Sequence, residues 1–470
     1  MGEEILLINP GSTILQKGLT IDFLEKKMTE IQLEYQKEKL LSLEFEMKEP
    51  PVYSYQISRG LLCIATKLIE DGFKPIYLQM DYEKDRKPME TAERILRSRA
   101  RNGKIAGITS YTFNFDDAVE IAKILKSINP EIKVIFGGPH VTWLDLEPLK
   151  SPYIDIVVRG EGENIFRDIC RNLLNGKGLD EIKGITYKKD GKIVRNPPAP
   201  FLKSEEIPMP AYSLIKSIEN PTVVLETTRG CPMRCTFCAE SAFWKTVRHR
   251  RIEDVVEEIK VLESMLGYNA IHICDPYFPI SRHYGEKLLH RIKEEGIEVY
   301  FNCNVRVDML KIDTLKLLSL SNFCGFFIGI ESGSDKVLKA MRKNITFEEY
   351  YSILKKIRKY IPVIDSSWMI GHPGEDINTI KETKEKIELL LKEQLVDGVW
   401  SKIFIPYPGT APFHFPNKYG MEILTRDWKR YVRNSFPVHR LQRLSEDEMY
   451  EENKKIVMLV LRWFEGKKRI

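Results

Sequence analysis

Three cysteines stand within eight residues, in the run Thr227-Thr228-Arg229-Gly230-Cys231-Pro232-Met233-Arg234-Cys235-Thr236-Phe237-Cys238. The spacing is C-x3-C-x2-C, and the run directly follows an apolar segment that reads as a strand. Three thiolates on one tight loop can each ligate one iron of a cubane cluster. The fourth iron is then open to a small ligand that chelates through amino and carboxylate groups. The competing chemistry is structural zinc, which commonly presents two C-x2-C-like pairs and four ligands. The other cysteines of the eight (Cys63, Cys170, Cys274, Cys303 and Cys324) are scattered and form no second pair. Few cysteines, three of them clustered, favour a metal or cofactor over disulfides.

Such a loop needs strand ends to hold it. An alternating series begins just before it, with strands expected at Thr222–Thr227, Ala270–Cys274, Glu298–Asn304, Gly325–Gly329, Val363–Ile370 and Asp397–Ile405, and helices between them. Six βα-type repeats make most of a barrel but fall short of eight. An earlier series has strands at Ile5–Asn9, Ile76–Leu78, Ile105–Thr109, Val134–Phe136 and Ile154–Val158, with helices at Ile57–Asp71, Asp116–Ser127 and Glu163–Asn175. Continuous apolar strands alternating with helices predict an open, doubly wound α/β sheet. The expected organisation is an α/β domain over 1–195, with a charged helical insertion at about 14–48 lying over it. A Pro-rich linker follows at 196–215, then the partial (βα)6 barrel at 216–412 and a small helical C-terminal region at 413–470. Leu424–Ile470 is expected to cover the barrel mouth.

Composition bounds the partners. The 470 residues are 43% hydrophobic and 30% charged, as in soluble globular chains. A net charge of +5 spread over this length does not argue for a nucleic-acid surface. The opening MGEEILLINP has acidic residues where a signal peptide needs basic ones, and no apolar run approaches a bilayer span. A cytoplasmic protein with no nucleic-acid or membrane partner is the expectation.

The cysteine run, with Phe237 before the third cysteine, resembles the signature of the radical S-adenosylmethionine superfamily. Its members fold as a partial six-stranded βα barrel. The resemblance extends from Ile5 to about Gly420. It implies a [4Fe-4S] cluster on Cys231, Cys235 and Cys238, with S-adenosylmethionine on the open iron. Asp275, in the turn Cys274-Asp275-Pro276-Tyr277-Phe278, would meet the methionyl amine, or instead cap a helix. Arg306 looks like the family's carboxylate-facing arginine, with an ion pair to Asp308 as the plainer reading. Glu331 and Ser332 would meet the ribose or an ammonium group. The turns Met369–Glu375 and Phe404–Thr410, with Lys343, resemble one branch of the superfamily.

That branch carries an N-terminal cobalamin-binding domain. Here Asn9 looks like its first-strand turn, Ser110, Tyr111 and Thr112 its third, Gly137, Gly138 and His140 its fourth, and Glu161 and Gly162 its fifth. The Asp-x-His-x-x-Gly motif of cobalamin proteins that put a histidine on cobalt is absent: none of the 8 histidines has Asp two residues before it. The implied chemistry is reductive cleavage of S-adenosylmethionine, hydrogen abstraction from an unactivated substrate carbon, and methyl transfer from methylcobalamin. The protein supplies placement and water exclusion. The substrate would be a small molecule or peptide, and the electron donor a flavodoxin or ferredoxin. One alternative keeps both cofactors but closes a ring or rearranges a skeleton. A methylthio-transferring relative would need three N-terminal cysteines, and only Cys63 and Cys170 precede the Pro-rich stretch. A non-catalytic corrinoid or iron-sulfur sensor belongs to another class, and has no need of the barrel turns.

Overall fold

The computed structural model describes residues 2–10, 20–43, 57–80, 88–218, 223–267, 270–432 and 436–467. The chain divides into two compact units. The first is Met1–Lys17, Ser54–Thr222 and Asp427–Lys429; the second is Gly18–Tyr53, Val223–Arg426 and Arg430–Ile470.

The first unit is built on strands β1 (Glu4–Asn9), β2 (Lys74–Gln79), β3 (Ile105–Thr109), β4 (Lys133–Gly137), β5 (Ile156–Val158), β6 (Ile185–Lys189) and β7 (Lys192–Arg195). They pair in the order β2-β1-β3-β4-β5-β6-β7. β1 to β5 are parallel, as their unbroken apolar runs require, whereas β6 and β7 run antiparallel. Direction reverses between β1 and β3, and open α/β sheets bind ligands outside the carboxyl ends of the strands at such a switch point. The β6–β7 hairpin turns on Asp190 (φ 49) and Gly191 (φ 73), the two left-handed residues of a type I′ turn. The Pro-rich stretch is packed chain, not a free linker. Leu202, Ile207, Tyr212 and Ile215 are buried, and Ala211 N–H donates to Leu62 O at 3.1 Å.

The second unit centres on β8 (Val224–Leu225), with a short hairpin of β9 (Thr228–Arg229) and β10 (Arg248–His249), followed by β11 (Ala270–Ile273), β12 (Tyr300–Val305), β13 (Phe323–Glu331), β14 (Val363–Ile370) and β15 (Gly398–Ile403). Six of these form a parallel sheet in chain order, β8-β11-β12-β13-β14-β15, as consecutive βα repeats of a barrel do. β8 and β15 are not neighbours, so the sheet has two edges. Its faces differ. Ile271, Ile273, Phe301, Cys303, Phe326, Ile328, Ile364, Trp368 and Val399 are buried on one. The alternate positions His272, Asn302, Asn304, Ser367, Met369, Trp400 and Lys402 are only half-buried. β16 (Met421–Ile423) and β17 (His439–Leu441) form a separate antiparallel pair.

One expectation changes here. The helix Thr20–Ser42 belongs to the second unit; the remaining parts of the expected insertion, 14–19 and 44–48, fall outside the described residues. Its polar residues explain the placement: an edge strand has unpaired backbone groups. Gln32 Oε1 accepts from Val399 N–H at 2.7 Å, Gln36 Nε2 donates to Asp365 Oδ1 at 2.7 Å, and Lys402 pairs with Glu25 at 2.9 Å. The C-terminal helix Glu446–Lys467 packs on β15 and on Thr20–Ser42, and ahead of it His439 Nε2 donates to Gly371 O at 2.8 Å, in the turn at the carboxyl end of β14. Asn453 Oδ1 accepts from Ser401 Oγ at 2.7 Å, and Tyr35 meets Phe464 edge-on at 5.4 Å. No helix of the described residues is long and apolar enough to cross a membrane.

Candidate functional site

The second unit holds the cysteine loop between braces. Where β9 ends, Gly230 takes φ +96, and a Cβ there would stand 2.1 Å from Thr246 O. Only glycine lets the loop's two limbs approach so closely. Cys238 N–H closes a turn on Cys235 O at 3.2 Å, and Ser241 Oγ donates to Cys238 O at 3.0 Å. Between those cysteines, Thr236 Oγ1 donates to His372 Nε2 at 2.9 Å. The tautomer follows, because His372 Nδ1–H is spent on Pro373 O at 2.9 Å. Burial pushes the His372 imidazole down to about 3, so it is neutral and can accept. The fifth-strand turn thus fixes the middle of the cysteine loop.

All three thiols are half-buried. Burial pushes Cys231 up, and Cys238 up to about 11, against a hydrogen bond from Ser241. A bound cation inverts this and deprotonates coordinating thiols. The donor set fits a cluster: three sulfurs on one braced loop, with Arg306 Nη1 3.8 Å from Cys235 Sγ.

The residues expected to meet S-adenosylmethionine separate into two pairs. Arg306 ends β12 with Nη2 on Lys343 O at 2.6 Å and on Asp308 at 2.8 Å, while its buried Nε has no partner among the described residues. The ion-pair reading of Arg306 is met by Nη2 on Asp308, and Nε is left without a protein partner among the described residues. Glu331 sits at φ +72, where the β13–β14 register shifts between Gly329 and Glu331. A non-glycine residue in this region is strained, and strain of this kind clusters at functional sites. A Cβ on Gly329 would stand 2.2 Å from Glu331 Oε1, so glycine makes room for the carboxylate. Lys343 Nζ lies 3.8 Å from Glu331 and donates to Gly329 O at 2.8 Å. Burial opposes the Lys343 charge, but Tyr350, Glu331 and Cys235 outweigh it and hold the ammonium above its ordinary value.

The other pair is turned inward. Asp275 is 1% exposed, and its carboxylate accepts from Thr227 N–H at 2.7 Å, Thr227 Oγ1 at 2.5 Å and Thr228 N–H at 3.1 Å. Burial lifts it to about 7 despite those donors. It anchors the approach to the cysteine loop and is neither a helix cap nor a free carboxylate. Ser332 is fully buried, bonded to Ser334 N–H at 3.2 Å and Thr383 Oγ1 at 3.3 Å. The sequence reading named no role for Tyr277, Thr236 or His372. The half-buried polar row His272, Asn302, Asn304, Ser367 and Lys402 had a usable signal, polar residues at period two within otherwise apolar strands.

In the first unit the candidate turns all lie at the carboxyl edge of the sheet, at and beside the switch point. Asn9 ends β1, with Nδ2 on Gln79 Oε1 at 2.9 Å. Ser110 is buried and its N–H donates to Gly137 O at 2.8 Å. Gly138 takes φ +109, and a Cβ there would stand 2.6 Å from Ser110 O. Thr112 Oγ1 lies 3.3 Å from His140 Nδ1. His140 is 1% exposed, packed against Phe115 at 4.5 Å and Trp428 at 4.8 Å, and burial pushes it down to about 3. Glu161 Oε2 accepts from Leu202 N–H at 2.6 Å. A Cβ on Gly162 would stand 3.1 Å from Ile64. Open surface comes from Tyr111 at 40% exposed, from Gly137, whose Cβ would find nothing nearer than 4.0 Å, and from Gly160, whose Cβ would find nothing. The open part of this edge is backbone and Tyr111, a broad surface with room for a large planar ligand, while Ser110, Thr112, His140 and Glu161 build the turns from behind.

Residues 225–387 match the model of the Radical SAM superfamily, and residues 51–170 match that of the B12 binding domain. An uncharacterized methyltransferase of Pyrococcus horikoshii is 33% identical over 73% of this chain and 76% of its own. The anaerobic magnesium-protoporphyrin IX monomethyl ester cyclase of Rubrivivax gelatinosus is 27% identical over 59% of this chain and 53% of its own. The chain therefore spans about three quarters of the first relative and about half of the second. A radical S-adenosylmethionine methyltransferase, TsrM of Kitasatospora setae, solved with cobalamin and a [4Fe-4S] cluster, shares the fold with a TM-score of 0.71. It is 15% identical, and the match covers 98% of this chain and 89% of that one.

Proposed function

We propose, from the premise that this chain belongs to the radical SAM superfamily and carries a B12 binding domain, that it is a cobalamin-dependent radical S-adenosylmethionine methyltransferase acting on an unactivated carbon of a small molecule. One observation carries the reading. The braced cysteine loop, the arginine beside Cys235 and the strained Glu331 belong to one unit, and Arg306 and Glu331 stand at the carboxyl ends of neighbouring parallel strands. When bound, the cluster with S-adenosylmethionine supplies a carbon-centred radical, and cobalamin supplies the methyl group. Cys231, Cys235 and Cys238 would hold the cluster. Arg306 would face the methionyl carboxylate, Glu331 a ribose hydroxyl or the ammonium, and Asp275 would keep the loop in register. The turns bearing Asn9, Ser110–Thr112, Gly137–Gly138, His140 and Glu161–Gly162 would carry cobalamin on their backbone, with Tyr111 against it.

The cyclase relative supports the second reading, ring formation with the same cofactors. A cytoplasmic setting with a flavodoxin- or ferredoxin-type donor suits either chemistry. The test is anaerobic reconstitution with iron, sulfide, cobalamin and reductant, then incubation with S-adenosylmethionine. Release of 5′-deoxyadenosine and S-adenosylhomocysteine together is expected. Deoxyadenosine alone, with a product of unchanged carbon count, would favour the cyclase. A loaded protein that cleaves nothing would be a sensor.

A further inference from the structure

The turn after β11 has a residue that the reading above does not use. Tyr277 is 2% exposed, and its hydroxyl has no hydrogen-bond partner among the described residues. Its neighbour Phe278 is fixed, with N–H on Asn304 O at 2.8 Å, so the turn is set by the chain and does not wander. A tyrosine hydroxyl buried in a protein usually finds a partner, because leaving it unmade forfeits a hydrogen bond that water would have supplied. The charges that reach this hydroxyl are those of Cys231, Arg306 and Asp308. Arg306 Nε is the other buried donor left unmade in that neighbourhood. Arg306 is committed at its remaining nitrogens, to Asp308, to Lys343 O and toward Cys235 Sγ. Two unused donors, one O–H and one N–H, therefore lie within electrostatic reach of Cys231. What they jointly suit is an anion with two acceptor oxygens.

We propose that Tyr277 is a binding residue for S-adenosylmethionine, donating its hydroxyl hydrogen bond to the methionyl carboxylate that Arg306 Nε also meets. This rests on the cluster reading above and adds to it a second donor from a different strand end. One donor from β11 and one from β12 fix the direction of the carboxylate, and with it the direction of the sulfonium.

The test is Tyr277→Phe in the anaerobically reconstituted full chain. Removing one oxygen keeps the ring packing. Iron content and the electron paramagnetic resonance of the reduced cluster without S-adenosylmethionine should match wild type. Titration of S-adenosylmethionine, followed through the change it makes in that spectrum, should show a Kd raised about tenfold. Decarboxylated S-adenosylmethionine, which lacks the acceptor, should bind wild type and variant alike. An unchanged Kd for S-adenosylmethionine overturns the proposal. So does an equal loss for both compounds, which would place the contact elsewhere on the ligand. A cluster spectrum altered without ligand would assign the hydroxyl to a cluster sulfur instead, and also overturns it. Wild-type protein that takes up no iron fails at the first measurement and sinks the cluster reading itself, so the two failures are separable.

Discussion

The two candidate sites are made of different materials. In the second unit the working groups are side chains: three thiols, a guanidinium with its Nη1 3.8 Å from one of them, and a carboxylate presented from a residue at φ +72. In the first unit they are mostly backbone, carried on turns whose named side chains, Ser110, Thr112 and His140, are buried behind the surface. The contrast follows the ligands. A metal cluster needs specific donor atoms at fixed spacing, whereas a broad macrocycle needs a shaped edge that backbone can approach. A side-chain site should therefore fail abruptly at single residues, and a backbone site by degrees.

The largest effect is expected at the first kind. Cys235→Ala should lose its iron and lower S-adenosylmethionine cleavage by at least about a thousandfold, roughly 4 kcal/mol of barrier. Corrin content should be unaffected, because the turns proposed for cobalamin belong to the other unit. Parallel loss of corrin would break the comparison. Next in size is Gly138→Ala. Its Cβ would meet Ser110 O at 2.6 Å at a φ of +109, so about 1–3 kcal/mol of backbone strain is added to a clash, and cobalamin retention should fall. Gly160→Ala, at φ +83 with open space around it, should cost only about 1 kcal/mol. Equal losses in denaturant melts would mean that the close approach at Gly138 does not matter.

A smaller effect sharpens the account of how the cysteine loop is held. Glu375, in the turn that carries His372, accepts from Gly371 N–H and is pushed up to about 8 by burial. Its folded-state value lies above the unfolded one, so folding binds a proton there. Its contribution is complete at acid pH and is lost as pH rises through about 8. Glu375→Gln should remove that slope, at most about 1.4 kcal/mol per pH unit, from melts between pH 5 and 8. A variant with the wild-type slope would show that Glu375 is not the titrating group.

What was legible in the sequence divides along the same line. The cysteine spacing and the ordered turns announced themselves, because a cluster cannot be held without those residue types. Five parallel strands of the first sheet were readable from apolar runs. The β6–β7 hairpin went unread although Asp190-Gly191 is a strong turn pair, since Lys188, Lys189 and Lys192 hide its alternation. Asp275 and Ser332 sit in the expected turns, but sequence position cannot say which way a side chain points. The helix Thr20–Ser42 was misplaced for a related reason: its partners, Asp365, Val399 and Lys402, are more than three hundred residues away along the chain.

The central claim is two cofactors on two units of one chain. Its most direct test is iron, sulfide, zinc and cobalt measured together on protein purified and reconstituted without oxygen. The account predicts about four irons and four sulfides with one corrinoid cobalt per chain, and no stoichiometric zinc. Iron without cobalt would leave the cysteine loop as described and remove the methyltransferase. Zinc in place of iron would contradict the account at its root.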